Sequence, residues 1–495
     1  MSYYVIGIGG SGAKCAEALT HLCAMGMMPA QDVYCIFVDP DRANGSLGRA
    51  SVTLTRYQDC HQLPVGDREK VKMFRANISV GNPYVWSPFM EDQERPKLAD
   101  FFEYPRLKAK DIRAAQLFDV LYSETEKGTS LEMGFRGHPS IGAAIMARTV
   151  KLDEAEPWQT FRKLIANDAS GGEEARIFLF GSIFGGTGAS GFPTITRLIR
   201  NELKTSEVKF AKIGGALLLP YFNFSPDKKV EMRANSEYFL MNTQMALEYY
   251  HNREKLPDII YLLGEENYSM VKFSLGSTEQ KNEANFIELY AALAAVDFFT
   301  QKEPKGYAMV ARQDKGRIDW LDLPDGKKGS NIKPLFAQFT RFAFAYLHFF
   351  YPAWKSVREG GKSFRFPFYQ EYFEKIKNQV DQAEVDKKMA QVKEYCEFFL
   401  LWVAQIATSA KIVNVELINY LPFAKIESTP NEGSFAQLLP NFRESEFNKL
   451  VYPIGPDGPK EIAKVLDNLH ENKVRDTKAD GLGKFFHALY KAYEL

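Results

Sequence analysis

IFLFGSIFGGTGASGFPTI, residues 177–195, is an apolar run that breaks into nothing but Gly, Thr, Ala and Ser from Gly185 to Gly191 and then resumes with helical spacing. RIFLFG (176–181) reads as a buried strand, and PTITRLIRNELK (193–204) as a helix with proline at its first position. Between them lies a glycine loop. Glycine has no Cβ, so such a loop lets backbone N–H groups come close to an anion at the positive end of the following helix. The Thr187 and Ser190 hydroxyls can add hydrogen bonds. A glycine-rich turn used only for close helix–strand packing is the plainer alternative.

The same arrangement occurs once more, at the start of the chain. VIGIGGSGAKCAEAL (5–19) places Gly7, Gly9 and Gly12 in G-x-G-x-x-G spacing between the apolar run YYVIGI (3–8) and a segment whose Ala13, Ala16, Leu19 and Leu22 mark one helix face. A second strand, VYCIFV (33–38), ends at Asp39, where a dinucleotide-binding fold places the acid that holds a ribose hydroxyl. An NAD- or FAD-dependent oxidoreductase therefore accounts for residues 1–40. It has no need of a second cradle. Two phosphate loops on one ligand fit a nucleoside polyphosphate held from both sides. A Walker-type loop is excluded because no G-x-x-x-x-G-K-[ST] occurs; Lys14 reads as an exposed first-turn lysine, with a phosphate contact as the alternative.

Working outward, KIGGALLLP (212–220) and DIIYLLG (258–264) are further apolar strands with a helix at 232–250 between them, and 284–300 (ANFIELYAALAAVDFFT) is a helix apolar on most sides. Continuous apolar strands alternating with helices indicate a parallel sheet covered on both faces. The stretch from about 48 to 130 reads as an elaborated insertion, 301–333 as a charged linker, and 334–495 as a helix-rich C-terminal domain.

Lys plus Arg and Asp plus Glu are each 62, which gives no bulk electrostatic reason to expect nucleic acid or an acidic membrane as partner. The five cysteines (15, 23, 35, 60 and 396) form no CxxC pair, and MSYYVIGIGG lacks the features of a secretory leader, so a cytoplasmic setting is expected. The apolar stretches 342–350 and 398–407 are short of the roughly 20 residues that cross a bilayer. Seven scattered histidines offer no zinc cluster, and no nucleophile elbow occurs.

Taken together, residues 1 to about 300 resemble the tubulin/FtsZ superfamily. FGGTGAS (184–190) is similar to that family's GGGTG[ST]G loop, GIGGSG to its N-terminal glycine loop and FVDPD (37–41) to its second-strand end; GHPSIGAAI (137–145) is similar to its Asn-Pro-x-x-Gly loop, with His138 in place of Asn, and LLLPYFNF (217–224) to its Pro-Phe-x-Phe strand end. The resemblance implies a Rossmann-type α/β GTPase domain with a long central helix, GTP or GDP with Mg²⁺ as cofactor, and assembly into a homo-oligomer or filament or with a separate partner protein. Phosphate contacts would come from Gly9, Gly10, Ser11 and Gly12 and from Gly185, Gly186, Thr187, Gly188 and Ala189. Gly137, Ser140, Ile141 and Gly142 would lie near the terminal phosphate, and Asp39 would face magnesium or phosphate. Asn285, ahead of Glu17, Glu265 and Asn267, would read the base, and one of Asp227, Glu231 and Arg233 the ribose. For each base candidate a solvent-facing polar residue is the alternative.

One family feature is missing. The Gly-x-x-Asn-x-Asp-x-x-Asp pattern that follows the family's central helix and activates water does not occur here; Asp314, Asp319, Asp322 and Asp325 lie in that region, with Asp319 and Asp322 the catalytic candidates and a flexible charged loop the alternative. A nucleotide-gated sensor or scaffold with little hydrolysis is thus a second expectation beside a GTPase.

Overall fold

The computed structural model describes residues 2–65, 68–89, 97–131, 134, 135, 137–206, 208, 211–224, 236–252, 257–265, 269–271, 282–310, 332–359, 381–412, 469 and 481–493. Its strands are β1 (Tyr3–Ile8), β2 (Asp32–Val38), β3 (Asn77–Trp86), β4 (Ala175–Ser182), β5 (Ala211–Leu218), β6 (Phe222–Phe224), β7 (Ile259–Leu263), β8 (Ser269–Val271) and β9 (Gly306–Val310). Seven of them form one sheet in the order β3-β2-β1-β4-β5-β7-β9, every pair parallel, while β6 and β8 pair separately. The fold is α/β with a parallel sheet, as the unbroken apolar runs predict.

Both faces of the sheet are covered. Tyr3 and Val5 of β1 and Phe178 and Phe180 of β4 enter one core, whereas Tyr4, Ile6 and Ile8 and Ile177 and Leu179 enter the other. Successive side chains of a strand point to opposite faces, so a strand buried on both sides must be apolar at every position.

The helices that frame the sheet are α1 (Gly9–Ala24), α2 (Gly45–His61), α3 (Pro139–Thr149), α4 (Trp158–Ser170), α5 (Gly186–Thr205), α6 (Ser236–Asn252), α7 (Phe286–Thr300), α8 (Ile332–Ala345), α9 (Gln382–Ile412) and α10 (Gly481–Lys491). α7 is the predicted central helix, buried along nearly its whole length. It lies against β5, where Gly214 leaves room for the Phe298 ring; a Cβ there would stand 2.6 Å from it. α8, α9 and α10 cover the same face and share its core. Phe339 of α8 meets Phe399 of α9 with ring centroids 4.7 Å apart, and Tyr395 of α9 meets Phe74, just before β3, at 4.9 Å. The aromatic richness of the C-terminal part therefore fills a core that reaches into the sheet-bearing part.

Three elements differ from the sequence reading. The stretch 48–130 holds most of α2 and the edge strand β3, whose Gly81, Pro83 and mixed exposure mask its strand character. β9 extends the sheet into the segment read as a linker. α5 starts at Gly186, not at Pro193, which sits inside it. Most of that glycine loop is helix.

Candidate functional site

The chain lays β1, β2 and β3 outward in one direction and then β4, β5, β7 and β9 in the other, so the order reverses between β1 and β4. At such a switch point the helices leaving the two strands diverge to opposite faces and open a crevice at the strand ends. Both glycine segments lie there. α1 begins at Gly9 and α5 at Gly186, so Gly9–Gly12 and Gly186–Gly188 are first helical turns with N–H groups free of intrahelical partners. Gly9 has φ +72°, and a Cβ on it would stand 3.3 Å from Thr187 Cβ and 3.6 Å from the Gly188 nitrogen. The two helix starts therefore face each other across a gap that one side chain would fill.

The other glycines show how the helices come so close. A Cβ at Gly12 would approach the Phe180 carbonyl to 2.6 Å, one at Gly188 the Ser182 carbonyl to 2.5 Å, and one at Gly191 the Ile8 side chain to 2.7 Å. A third segment overlies the joint, since a Cβ at Gly186 would lie 3.0 Å from the Gly137 nitrogen and 3.1 Å from Phe135 Cβ.

The end of β2 supplies the third side. Val38 pairs with Ile8, so Asp39 leaves the sheet level with Gly9. Asp39 is buried, accepts a hydrogen bond from the Asp41 nitrogen at 3.0 Å, and has its pKa pushed up to about 8, by burial first and by the neighbouring Asp41 as well. Beside it stands Asn44, which the sequence reading passed over. Its Oδ1 accepts from the Ser46 and Leu47 nitrogens at 3.0 and 3.3 Å and caps α2, and its amide lies 3.3 Å from where a Gly10 Cβ would be. Asn immediately before a helix is a capping signal, and that was the legible clue.

Asp39 makes stability depend on pH. Its folded pKa lies above the unfolded value, so the folded state holds the extra proton from about pH 4 to about pH 8 and stability falls as pH rises through that window, by about 1.4 kcal/mol per unit where the difference is one proton. Thermal melts of the ligand-free protein should show Asp39→Asn gaining stability over the parent between pH 5 and pH 8. Equal gains at both pH values would refute the assignment.

Residues 134–291, which run from the overlying loop through β4 and α5 into α7, match the model of a family described as tubulin like. No curated protein matches the chain. The first glycine turn lies ahead of the matched stretch and joins it through the β1–β4 pairing.

Around the joint the candidate residues divide. Gly9, Gly10, Ser11, Gly185, Gly186, Thr187 and Gly188 surround the joint, with Gly137 over it. Ile141 is buried in the core, and Gly142 is a packing glycine whose Cβ would collide with Ser190 Oγ at 2.3 Å. Ser190 itself is buried and donates to the Gly186 carbonyl at 2.7 Å, so its hydroxyl serves its own helix. Ser140 and Ala189 line a neighbouring cavity between α3, α5 and α6.

The base-side candidates are held in polar networks. Glu17 is buried and receives Arg49 Nε at 2.9 and 3.0 Å and Thr53 Oγ1 at 3.2 Å, which joins α1 to α2. Asn285 caps α7, its Oδ1 accepting from the Ile287 nitrogen at 3.0 Å. Lys14 is buried, a correction to the sequence reading: its Nζ lies 2.5 Å from Glu288 Oε1, and Tyr221 donates to the same oxygen at 2.8 Å. A continuous chain of contacts therefore runs from α1 to the head of α7, and α9 completes it, since Gln405 and Ser409 accept from the Ala284 and Phe286 nitrogens at 2.9 and 2.7 Å.

Glu265 follows β7, half-buried. Asp227, Glu231, Arg233, Asn267, Asp314, Asp319, Asp322 and Asp325 lie outside the described residues. Among the described residues no group of three or more His, Cys, Asp or Glu could hold a metal ion, all five cysteines are buried free thiols, and no helix is long and apolar enough to cross a membrane.

Proposed function

We propose that this chain binds GTP with Mg²⁺ at the joint between its two glycine turns and that nucleotide state controls its assembly, with itself or with a partner protein. The observation that most supports this is the contact distance between Gly9 and Thr187–Gly188, which brings the positive ends of α1 and α5 to one point. A polyphosphate satisfies both sets of N–H groups at once. In this reading Gly9, Gly10, Ser11 and Gly12 hold one side of the phosphate chain, Gly185 to Gly188 the other, and the loop through Gly137 covers its terminal end. The buried Asp39 carboxyl gains from a divalent cation, which supplies charge neutralisation for the phosphates. Asn285 is the leading base contact. A dinucleotide enzyme is less well supported, because it would leave the second helix start without a ligand, and the tubulin-like match includes that second start.

Hydrolysis is a separate matter. The water-activating acid pattern is absent from the sequence after α7, which favours a nucleotide-gated sensor or scaffold with little turnover as the second reading. Titration of the purified chain with GTP, GDP, ATP and NAD should give Mg²⁺-dependent binding of the guanine nucleotides alone. Tight NAD binding without GTP binding would overturn the proposal. Sedimentation with GTP, and phosphate release that rises more than linearly with protein concentration, separates the assembling GTPase from the sensor.

A further inference from the structure

Beside the joint, on the outer side of α5, lies a cavity of about 660 Å³ framed by α3, α5 and α6. That is the size range of sites for small organic ligands. It exists because the facing positions are small: Ala143 on α3, Ala189 on α5 and Ala246 on α6, with Pro193 adding a ring but no long side chain. The floor is apolar, from Ile183, and Met241 and Met245 form an adaptable wall. Met245 is 63% exposed although it borders a cavity, so this apolar surface is open to a ligand from solution.

One charge stands in the rim. Arg197 lines the cavity and is exposed, and among the described residues it has no carboxylate partner, whereas Arg200 on the same helix pairs with Asp258 at 3.0 Å. Among the described residues neither Asp nor Glu lines the cavity. A lone guanidinium at the edge of an apolar hollow suits a molecule with an apolar body and a single anionic head. We propose that the cavity between α3, α5 and α6 is a binding site for a small amphipathic anion, with Arg197 taking the head group and Ile183, Met241, Met245 and Ala246 the body. The cavity adjoins the nucleotide joint, since Gly137, Ser140 and Ala189 also line it, and the inference does not depend on nucleotide binding.

The test uses the full chain without nucleotide and two probes: 8-anilinonaphthalene-1-sulfonate for an aromatic body and decanoate for an acyl chain. The naphthalene sulfonate should bind saturably at one site. Ala246→Trp, which fills the hollow, should abolish that binding, and Arg197→Ala, a change at an exposed position, should weaken it about tenfold, the loss of one charge-assisted contact. Displacement by decanoate assigns the site to acyl anions, and binding without displacement assigns it to aromatic ones. Saturable binding that both variants keep at parental affinity overturns the proposal, as does the absence of saturable binding of either probe. Melting curves of both variants verify folding, and Arg197→Ala remains informative if Ala246→Trp does not fold.

Discussion

Gly9→Val is expected to remove GTP binding while leaving the chain folded. Two independent costs meet at this residue. The first is conformational: Gly9 sits at φ +72°, where an L side chain costs roughly 1–2 kcal/mol, and a β-branched one is the least tolerated. The second is spatial. The new Cβ would stand 3.3 Å from Thr187 Cβ, and the valine methyls extend beyond it into the gap between the two helix starts. A phosphate needs that gap. A loss of at least about a hundredfold in GTP affinity, roughly 3 kcal/mol, follows if the N–H groups of both turns act together. Gly48→Ala is the control, since nothing lies within 4 Å of a Cβ there and α2 is a regular helix. It should bind GTP as the parent does. GTP affinity within threefold of the parent in Gly9→Val would show that the nucleotide does not lie between the turns.

Glu288→Ala is expected to have the largest effect on stability of any single change considered. Glu288 is fully buried and holds Lys14 Nζ and the Tyr221 hydroxyl through one oxygen and the Asn285 nitrogen through the other, at 2.9 Å. Removal of the carboxylate leaves a buried ammonium without its counter-charge and orphans two further donors. Breaking one side of such a pair costs about 3–5 kcal/mol. Chemical denaturation should show a loss of that order, and replacing Lys14 by Met in the same chain should recover a large part of it, because the stranded charge and not the lost attraction dominates. A loss below about 1 kcal/mol in the single variant would mean that water reaches the pair.

The network also explains why the central helix is placed where it is. Its N-terminus is capped from within by Asn285 and Glu288 and from outside by Gln405 and Ser409 of α9. Arg49 reaches the Asn282 carbonyl at 2.8 Å just ahead of it. Helices that are remote in sequence thus converge on the segment 282–286. The Asn285–Glu288 capping box has a local signature, but the pairings with Arg49, Gln405 and Ser409 have none.

Legibility followed the physics of each element. β1, β2, β4, β5 and β7 were visible because a strand buried on both faces must be apolar throughout, and the central helix because it is apolar on most sides. β3 and β9 were not, since the edge strand β3 carries Gly81, Pro83 and exposed positions and the short edge strand β9 starts at Gly306 after a charged stretch. Glycine spacing marked both turns, but it could not distinguish glycines that open the joint, such as Gly9, from those that only permit close packing, such as Gly142. The same limit applied to charge: Lys14 and Glu17 look like surface residues of an amphipathic helix, and only the arrival of α2 and α7 buries them. Asp39 was placed by its position after β2, whereas its raised pKa depends on packing that no local pattern encodes.

By itself the sequence determined a parallel α/β sheet and two glycine-rich segments between strand and helix, because periodicity and missing Cβ atoms act locally. Only the tertiary structure decided that those segments face each other across one gap. The reversal of strand order between β1 and β4 brings together residues about 170 positions apart in the chain, and that reversal arises from long-range strand pairing.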